Sequence, residues 1–432
     1  MSKLDPQSFF DQLDKTIHQD LEVVKELCKR LGNPQNELTC IHIAGTNGKG
    51  STLRFLANVL ECAGYRVGCY VTPDYQSDRN EICIGDKPIS PLMFRQGLVQ
   101  IETACQLLRI EQKRMPSAFE VKTALSFWYF HKQHCDFALI ETGMGGTVDA
   151  TNILSHPILT ILTSITKDHT AFLGNTIEEI AAHKAGILKA GAACIVAAQS
   201  KEVYSVIDQK AKMLGVSPIV IDCNDITDAY YHIDKTIFSY KDEKEIELSL
   251  PGVCQPENAV LAIEAVKILR NHGFTIRDDA LRQGLLTTKW MWRFSVLKHN
   301  PTFVVDGAHN IGGVIRLKQN IQTYFPKNRI VLIAGIYFDK DADAMLEMIC
   351  PVATQVITLS LNAGERSRSA LELAQIALSY HKDVTAADSL QEALELATML
   401  AKADGVVVAF GSLSYLAELA VLIEKGKGFF HD

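Results

Sequence analysis

The stretch Ala44-Gly45-Thr46-Asn47-Gly48-Lys49-Gly50-Ser51-Thr52 constrains this chain more than any other. The apolar run Cys40-Ile41-His42-Ile43 before it reads as a buried strand, and Leu53 to Ala63 after it as a helix that stops at Gly64. Strand, glycine-rich turn and helix form the context of a phosphate-binding loop. The glycines let backbone N–H groups face an anion, and a helix N-terminus adds positive potential. Lys49 can reach outer phosphates, and Ser51 or Thr52 can offer a hydroxyl to Mg²⁺. Glycine alone would be no surprise in an ordinary strand-to-helix turn. A Gly-Lys-Gly-Ser-Thr run at a helix start makes that simpler explanation insufficient. The spacing departs from the common G-x-x-x-x-G-K-[ST], because two residues separate Gly45 from Gly48 and Gly50 precedes the hydroxyls.

The rest of the chain reads as alternating strands and helices. Residues 5–31 carry helical periodicity, closed by Gly32-Asn33-Pro34. Arg66 to Val71 reads as a strand, leading into the polar segment Thr72-Pro73-Asp74-Tyr75-Gln76-Ser77-Asp78-Arg79. A long polar loop beside a nucleotide site suits a substrate loop, although composition alone fits a solvated connection nearly as well. A short hairpin follows at 82–89, then helices at 91–111 and 119–133. Strand Phe137 to Glu141 runs into Thr142-Gly143-Met144-Gly145-Gly146-Thr147-Val148-Asp149. Strand 158–163 leads to Asp168-His169, and helix 176–188 carries Lys184. Further strand–helix units occupy 191–222, with a hairpin-like stretch at 229–249 and helices within 255–288. The alternation restarts after Arg293, with strands at 301–306, 329–335, 355–360 and 406–410. This pattern predicts a second parallel α/β unit, with domains spanning 1–293 and 298–432.

Composition narrows the function classes. Of 432 residues, 47% are apolar and 22% charged, as in a soluble globular protein. The net charge of −7, with no basic block, argues against a nucleic-acid partner. No run approaches the roughly 18 apolar residues of a membrane span, and the first residues lack a signal-peptide core. The 11 cysteines are scattered without a C-x-x-C pair, which suggests reduced thiols in a cytoplasmic protein and no zinc site.

Chemistry collects at strand ends, where open parallel sheets bind ligands. Lys49, Glu141 and His169 each follow a different strand of the first unit. Glu141 and His169 could converge on a metal bridging nucleotide phosphates, although Mg²⁺ prefers oxygen. His169 alone reads as a capping or surface histidine, and Lys184 alone as a snorkelling one. Asp306-Gly307-Ala308-His309-Asn310 opens the second unit at a strand end. Asp306 and His309 are general acid/base or phosphate-contact candidates.

Together, and in order, these residues resemble the folylpolyglutamate synthase and dihydrofolate synthase family of the wider Mur ligase group. The resemblance runs from Leu21 almost to the C-terminus. It rests on Leu31-Gly32-Asn33-Pro34, Ile41 to Ser51, Phe119-Glu120, Glu141 to Gly146, Asp149-Ala150-Thr151-Asn152, Asp168-His169-Thr170, Lys184-Ala185-Gly186-Ile187, Asp306 to Asn310 and Phe410-Gly411-Ser412-Leu413.

The resemblance implies an α/β fold: a P-loop-type Mur ligase central domain with a smaller Rossmann-like C-terminal domain. It implies ATP and Mg²⁺, and transfer of the γ-phosphoryl group to a substrate carboxylate. The acyl phosphate is then attacked by the amino group of an amino acid, glutamate as a rule, with a folate or dihydropteroate as acceptor. Enclosure between two domains would shield the acyl phosphate from water. By this likeness Gly45, Thr46, Asn47, Gly48, Lys49, Gly50, Ser51 and Thr52 hold phosphate. Ser51, Thr72, Glu141 and His169 ligate metal, Thr72 standing where the family has serine. Lys184 matches a lysine that the family carbamylates, and Asn258 matches an adenine contact. Arg293 matches a nucleotide-binding arginine at the domain junction, and Asp306 and His309 reach the nucleotide from the second domain, with Lys49, Lys184, Asp306 and His309 as the catalytic set.

The chain departs from the family at Asp74 and Tyr75, where His-Leu is usual, at Thr147, where arginine is usual, and at Cys254 and His183. Asp74, Tyr75 and Thr147 are therefore the substrate-side candidates. An amide ligase for a non-folate acid, or a nucleotide-binding member without ligation, are the alternatives. A cytoplasmic monomer acting on small molecules is expected.

Overall fold

The computed structural model describes residues 5–72, 78–111, 114–361 and 364–425. The chain forms two compact units. One takes in Met1–Thr227, Tyr240–Ile246 and Glu257–Thr288; the other Asp228–Ser239, Glu247–Pro256 and Lys289–Asp432. A single division at 293–298 does not describe this interleaving. Segment 247–256 joins the second unit through hydrogen bonds: the Gly252 N–H donates to the Tyr324 hydroxyl at 2.9 Å, and the Val253 N–H to Asn320 Oδ1 at 2.8 Å.

The first unit is built on strands β1 (Cys40–Ala44), β2 (Val67–Tyr70), β3 (Ile82–Ile84), β4 (Lys87–Pro88), β5 (Phe137–Glu141), β6 (Leu159–Leu162), β7 (Ala193–Val196) and β8 (Ile219–Val220). They form one sheet in the order β4-β3-β2-β5-β1-β6-β7-β8. β3 pairs antiparallel with both β2 and β4; the remaining pairs are parallel. The central strands β1, β2, β5, β6 and β7 are almost wholly buried, which suits a sheet covered on both faces.

Helices α1 (Pro6–Asp11), α2 (Glu22–Arg30), α3 (Lys49–Cys62), α4 (Pro91–Glu111), α5 (Ala118–Lys132), α6 (Thr170–Leu173), α7 (Ile177–Ala185), α8 (Lys201–Leu214), α9 (Gln255–Asn271) and α10 (Asp278–Thr287) belong to this unit, apart from the first residues of α9. Val24, Leu27, Leu98, Ile101, Phe127 and Phe130 of α2, α4 and α5 join one buried cluster. Ile180, Ala181, Val203 and Ile207 of α7 and α8 join another with Ala44 and Leu162. Burying a side chain such as Leu or Phe contributes about 1.5–3 kcal/mol.

The helical periodicity over 5–31 is broken in the structure. Residues 12–21 leave the helix because their polar groups find other partners: the Asp14 N–H donates to the Pro116 carbonyl, and the Asp14 carboxylate accepts from Thr16. Ser, Thr and Asp side chains compete with helical bonding in this way.

A separate sheet in the order β11-β10-β9 comprises β9 (Ile226–His232), β10 (Lys235–Tyr240) and β11 (Glu243–Leu248). The six-stranded sheet of the second unit has β12 (Ser295–Lys298), β13 (Thr302–Val305), β14 (Ile330–Ala334), β15 (Gln355–Leu359), β16 (Val384–Ala387) and β17 (Val406–Phe410), in the order β12-β13-β17-β14-β15-β16. Strand β12 is an antiparallel edge and the others are parallel. Helices α11 (Ile311–Tyr324), α12 (Ala342–Ile349) and α13 (Ala370–Ala377) cover one face, and α14 (Leu390–Ala401) and α15 (Leu413–Lys425) the other. β12 and β16 escape a periodicity reading because both are short and only partly buried.

Asn310 starts α11 by accepting the Gly313 N–H at 2.8 Å. Asn310→Ala should therefore cost about 1 kcal/mol in chemical denaturation, the usual worth of such a cap. An unchanged denaturation midpoint would show that the cap contributes nothing.

Candidate active site

Strand β1 lies between β5 and β6, so the carboxyl ends of these three strands meet. The chain after β1 forms the glycine loop and enters α3 at Lys49. Gly48 caps that helix with φ 91°, a left-handed conformation that favours glycine. A Cβ on Gly48 would also run into the Asn258 side chain near the start of α9, and one on Gly45 into the Thr163 hydroxyl. Gly48→Ala should consequently lower stability by about 1–3 kcal/mol, read as a fall in thermal midpoint.

The loop is tied to the chain after β6 rather than left free. The Thr46 and Asn47 N–H groups donate to the Ser164 carbonyl at 2.8 and 3.1 Å. The Thr46 hydroxyl donates to the Thr166 carbonyl at 2.9 Å and accepts the Thr166 N–H at 3.0 Å. Gln199 braces the same segment from the far side, donating to the Thr163 carbonyl and accepting the Ile165 N–H. These tethers leave the first-turn N–H groups of α3, which have no intrahelical partner, as anion donors.

Two lysines share this loop. Lys49 Nζ donates to the Gly45 and Thr46 carbonyls at 3.1 and 3.2 Å and lies 3.8 Å from Glu141 Oε1. Lys184, on α7, donates to the same Gly45 carbonyl at 2.7 Å and is 3% exposed. Burial pulls the Lys184 ammonium down to about 7; Lys49 pushes it the same way, while Asp168 and Asp149 pull it back up. The carboxylate of Glu141 ends β5 and is buried, with Glu141 paired to Ile43 in register.

His169 adopts a left-handed conformation at the start of α6. Its Nε2 stands 3.8 Å from Asp168 Oδ2, and its side chain is 39% exposed. The Thr52, Thr72 and Thr142 hydroxyls are buried with no hydrogen-bond partner among the described residues.

In the second unit, Asp306 directly follows β13. Its carboxylate accepts the Phe294 and Ala308 N–H groups, both at 2.8 Å. Burial pushes its carboxyl above the usual range, and Arg293 pulls it down. His309 Nδ1 is 2.8 Å from the Gly307 carbonyl oxygen, so that nitrogen carries the proton and donates. Arg293 and Asp306 are thus brought together, and Asp306 shapes the turn that presents His309.

Residues 43–266 match the Mur ligase middle domain, and 292–413 the Mur ligase glutamate ligase domain. A Bacillus subtilis protein named dihydrofolate synthase/folylpolyglutamate synthase is 35% identical over 342 residues, covering 76% of this chain and 78% of its own. The chain belongs to the folylpolyglutamate synthase and dihydrofolate synthase family of Mur ligases. A Mycobacterium tuberculosis folylpolyglutamate synthase complexed with ADP superposes with a TM-score of 0.88 at 28% identity, covering 99% of this chain and 98% of that one. E. coli FolC in complex with DHPP and ADP gives 0.86 at 27% identity, covering 98% and 97%.

Within this member of the Mur ligase family, the sequence candidates fall into groups. Gly45–Thr52, Glu141, Lys184 and Asn258 gather around the β1 carboxyl end. Asp74 and Tyr75 lie outside the described residues. Thr147 sits on the end of α7, its N–H and hydroxyl donating to the His183 carbonyl at 2.8 and 3.1 Å. Sequence reading missed Thr163, Ser164, Thr166, Asp168 and Asp149 as neighbours of the loop and Lys184. Asp149 stood in a recognised motif, but nothing local marked its partner.

The donor set fits Mg²⁺. Among the described residues no group of three or more His, Cys, Asp or Glu side chains could hold a metal. Buried threonine hydroxyls and the Glu141 carboxylate instead supply scattered oxygens, and Mg²⁺ keeps much of its water while taking one or two carboxylates.

Proposed function

We propose that this protein is an ATP- and Mg²⁺-dependent ligase that joins glutamate to the carboxylate of a folate or dihydropteroate. The observation that carries the reading is the meeting of the glycine loop, Lys49, Glu141 and buried Lys184 at one end of a parallel sheet, in a chain of this family. A carboxylate is a poor electrophile, and phosphorylation gives it a good leaving group. The reaction crowds negative charge, which a positive cradle must offset.

In this reading Gly45, Thr46, Asn47, Gly48, Gly50, Ser51 and Thr52 hold the phosphates and Lys49 neutralises their charge. Ser51, Thr72, Glu141 and His169 hold Mg²⁺, which supplies Lewis-acid stabilisation of the phosphoryl oxygens when bound. Lys184 acts as a carbamate. Asn258 contacts adenine, and Arg293, Asp306 and His309 bind the nucleotide. Asp74, Tyr75 and Thr147 line the acceptor side. Among the described residues no helix is long and apolar enough to cross a membrane, and the proposed setting is a cytoplasmic monomer.

The test is phosphate release by the purified protein with ATP, Mg²⁺, glutamate and a panel of carboxylates including dihydropteroate and tetrahydrofolate. Glutamate-dependent release with a pterin acid is the expected result. Release only with other acids would overturn the folate assignment, and none with any acid would overturn ligation.

A further inference from the structure

Strand β1 carries a histidine where a fully buried parallel strand would ordinarily carry an aliphatic residue. His42 is 0% exposed and sits opposite Ile140 of β5 and Thr160 of β6. Its Nε2 is 2.8 Å from Thr151 Oγ1. That hydroxyl is in turn 2.5 Å from Asp149 Oδ1, which also accepts the Thr151 N–H at 3.0 Å. Asp149 Oδ2 accepts the Met144 N–H at 2.8 Å. A threonine hydroxyl has one proton. Committed to the carboxylate, it leaves the oxygen only as an acceptor, so His42 must donate from Nε2. Burial holds the imidazole neutral, pushing its pKa down to about 3, so Nδ1 is bare; it has no partner among the described residues.

The far end of this relay reaches the active site. Asp149 and Met144 close the loop that leaves Glu141, and Asn152 Nδ2 donates to the Thr147 and Gly186 carbonyls. Gly146 lies so close to the His183 and Lys184 carbonyls that a Cβ there would collide with them. The loop therefore rests directly on the end of α7 that carries Lys184. We propose that His42 is a positioning residue for the ligase site, orienting the Thr151 hydroxyl onto Asp149 and so holding loop 143–152 against α7. The inference rests on the proposed ligase function for its kinetic consequence, while its structural consequence stands apart from turnover. The glycine loop itself is anchored through Ser164 and Thr166, so ATP binding is spared.

His42→Leu removes the donor at similar volume, Thr151→Val removes the relay, and His42→Gln restores a donor near the Nε2 position. Each single loss should lower kcat about tenfold or more with the KM for ATP within about twofold, and the double variant should fall no further. His42→Gln should stay within about threefold of the parent. A merely stabilising histidine would shift the melting point without this split or this rescue. Hydrogen exchange of the Met144 and Thr151 amides supplies a readout that needs no turnover. It should accelerate in His42→Leu and Thr151→Val and not in His42→Gln. Unchanged exchange in both disrupting variants overturns the proposal even if the protein proves inactive as a ligase. With an active parent, parental kcat in either folded single variant, multiplicative losses, or a glutamine variant as poor as leucine overturns it equally. If His42→Leu fails to fold, the near-isosteric Thr151→Val decides the same points.

Discussion

Lys49→Ala is expected to remove ATP-dependent turnover by about a thousandfold or more while leaving the fold in place. The side chain caps loop carbonyls and approaches Glu141, but it fills no core volume: it is 16% exposed and packs on Gly45 and Thr46. Its loss opens no apolar cavity, so the thermal midpoint should move little. The charge matters most as phosphoryl negative charge redistributes in a site of low dielectric, where a fixed cation is worth far more than in water. A second effect should follow. Lys49 helps hold the Lys184 ammonium down, so in the variant Lys184 should bind its proton more tightly. Phosphate release and a melting curve on the same preparation check the first claim. Parental turnover in the variant would remove the phosphate-cradle assignment altogether.

Lys184→Ala is the second large loss, expected at about a hundredfold or more, with partial rescue by formate or acetate. An ammonium 3% exposed is costly unless it discharges or finds an anion, and the Lys184 Nζ donates to the uncharged Gly45 carbonyl oxygen. Its lowered pKa of about 7 makes the amine substantially neutral near neutral pH. A neutral amine adds CO₂, whereas an ammonium cannot. The sign follows directly: the reactive fraction grows as pH rises through about 7 and falls below it. Bicarbonate should therefore raise activity more at about pH 8 than at about pH 6. The checks are a bicarbonate titration at both pH values and ¹³C-carbonate labelling of the parent, which the variant should lack. Bicarbonate independence, with no label on Lys184, would sink the carbamate and leave the amine itself as the working group.

Much of the scaffold was legible in the chain. Helix 91–111 appears with the expected bounds, and β1, β5 and β17 occupy the expected apolar runs. Such elements are long or strongly periodic, and their burial follows from local pattern. The segment 12–21 was not legible, because whether Asp14 and Thr16 bond to each other or continue a helix is decided by Pro116, about a hundred residues away. The short edge strands β12 and β16 were missed because partial burial leaves no period to detect.

The same division runs through the active site. Sequence alone determined the glycine loop, the cation within it and the carboxylate at the end of β5, because strand-turn-helix and its residue types are local facts. It also carried the order of motifs that marks the family. Only the tertiary structure decided which groups face one another. Strand order puts β1 between β5 and β6, and that placement brings Glu141 to one side of the loop and Thr163 and Thr166 to the other. It buries Lys184 on the Gly45 carbonyl, 139 positions away, and turns an apparent surface lysine into one with a lowered pKa. It sets His42 on Thr151, 109 positions distant, where no spacing rule reaches. Periodicity reports how each side chain is buried, but partners in a parallel sheet are chosen by crossover connections, and those are invisible to any local window.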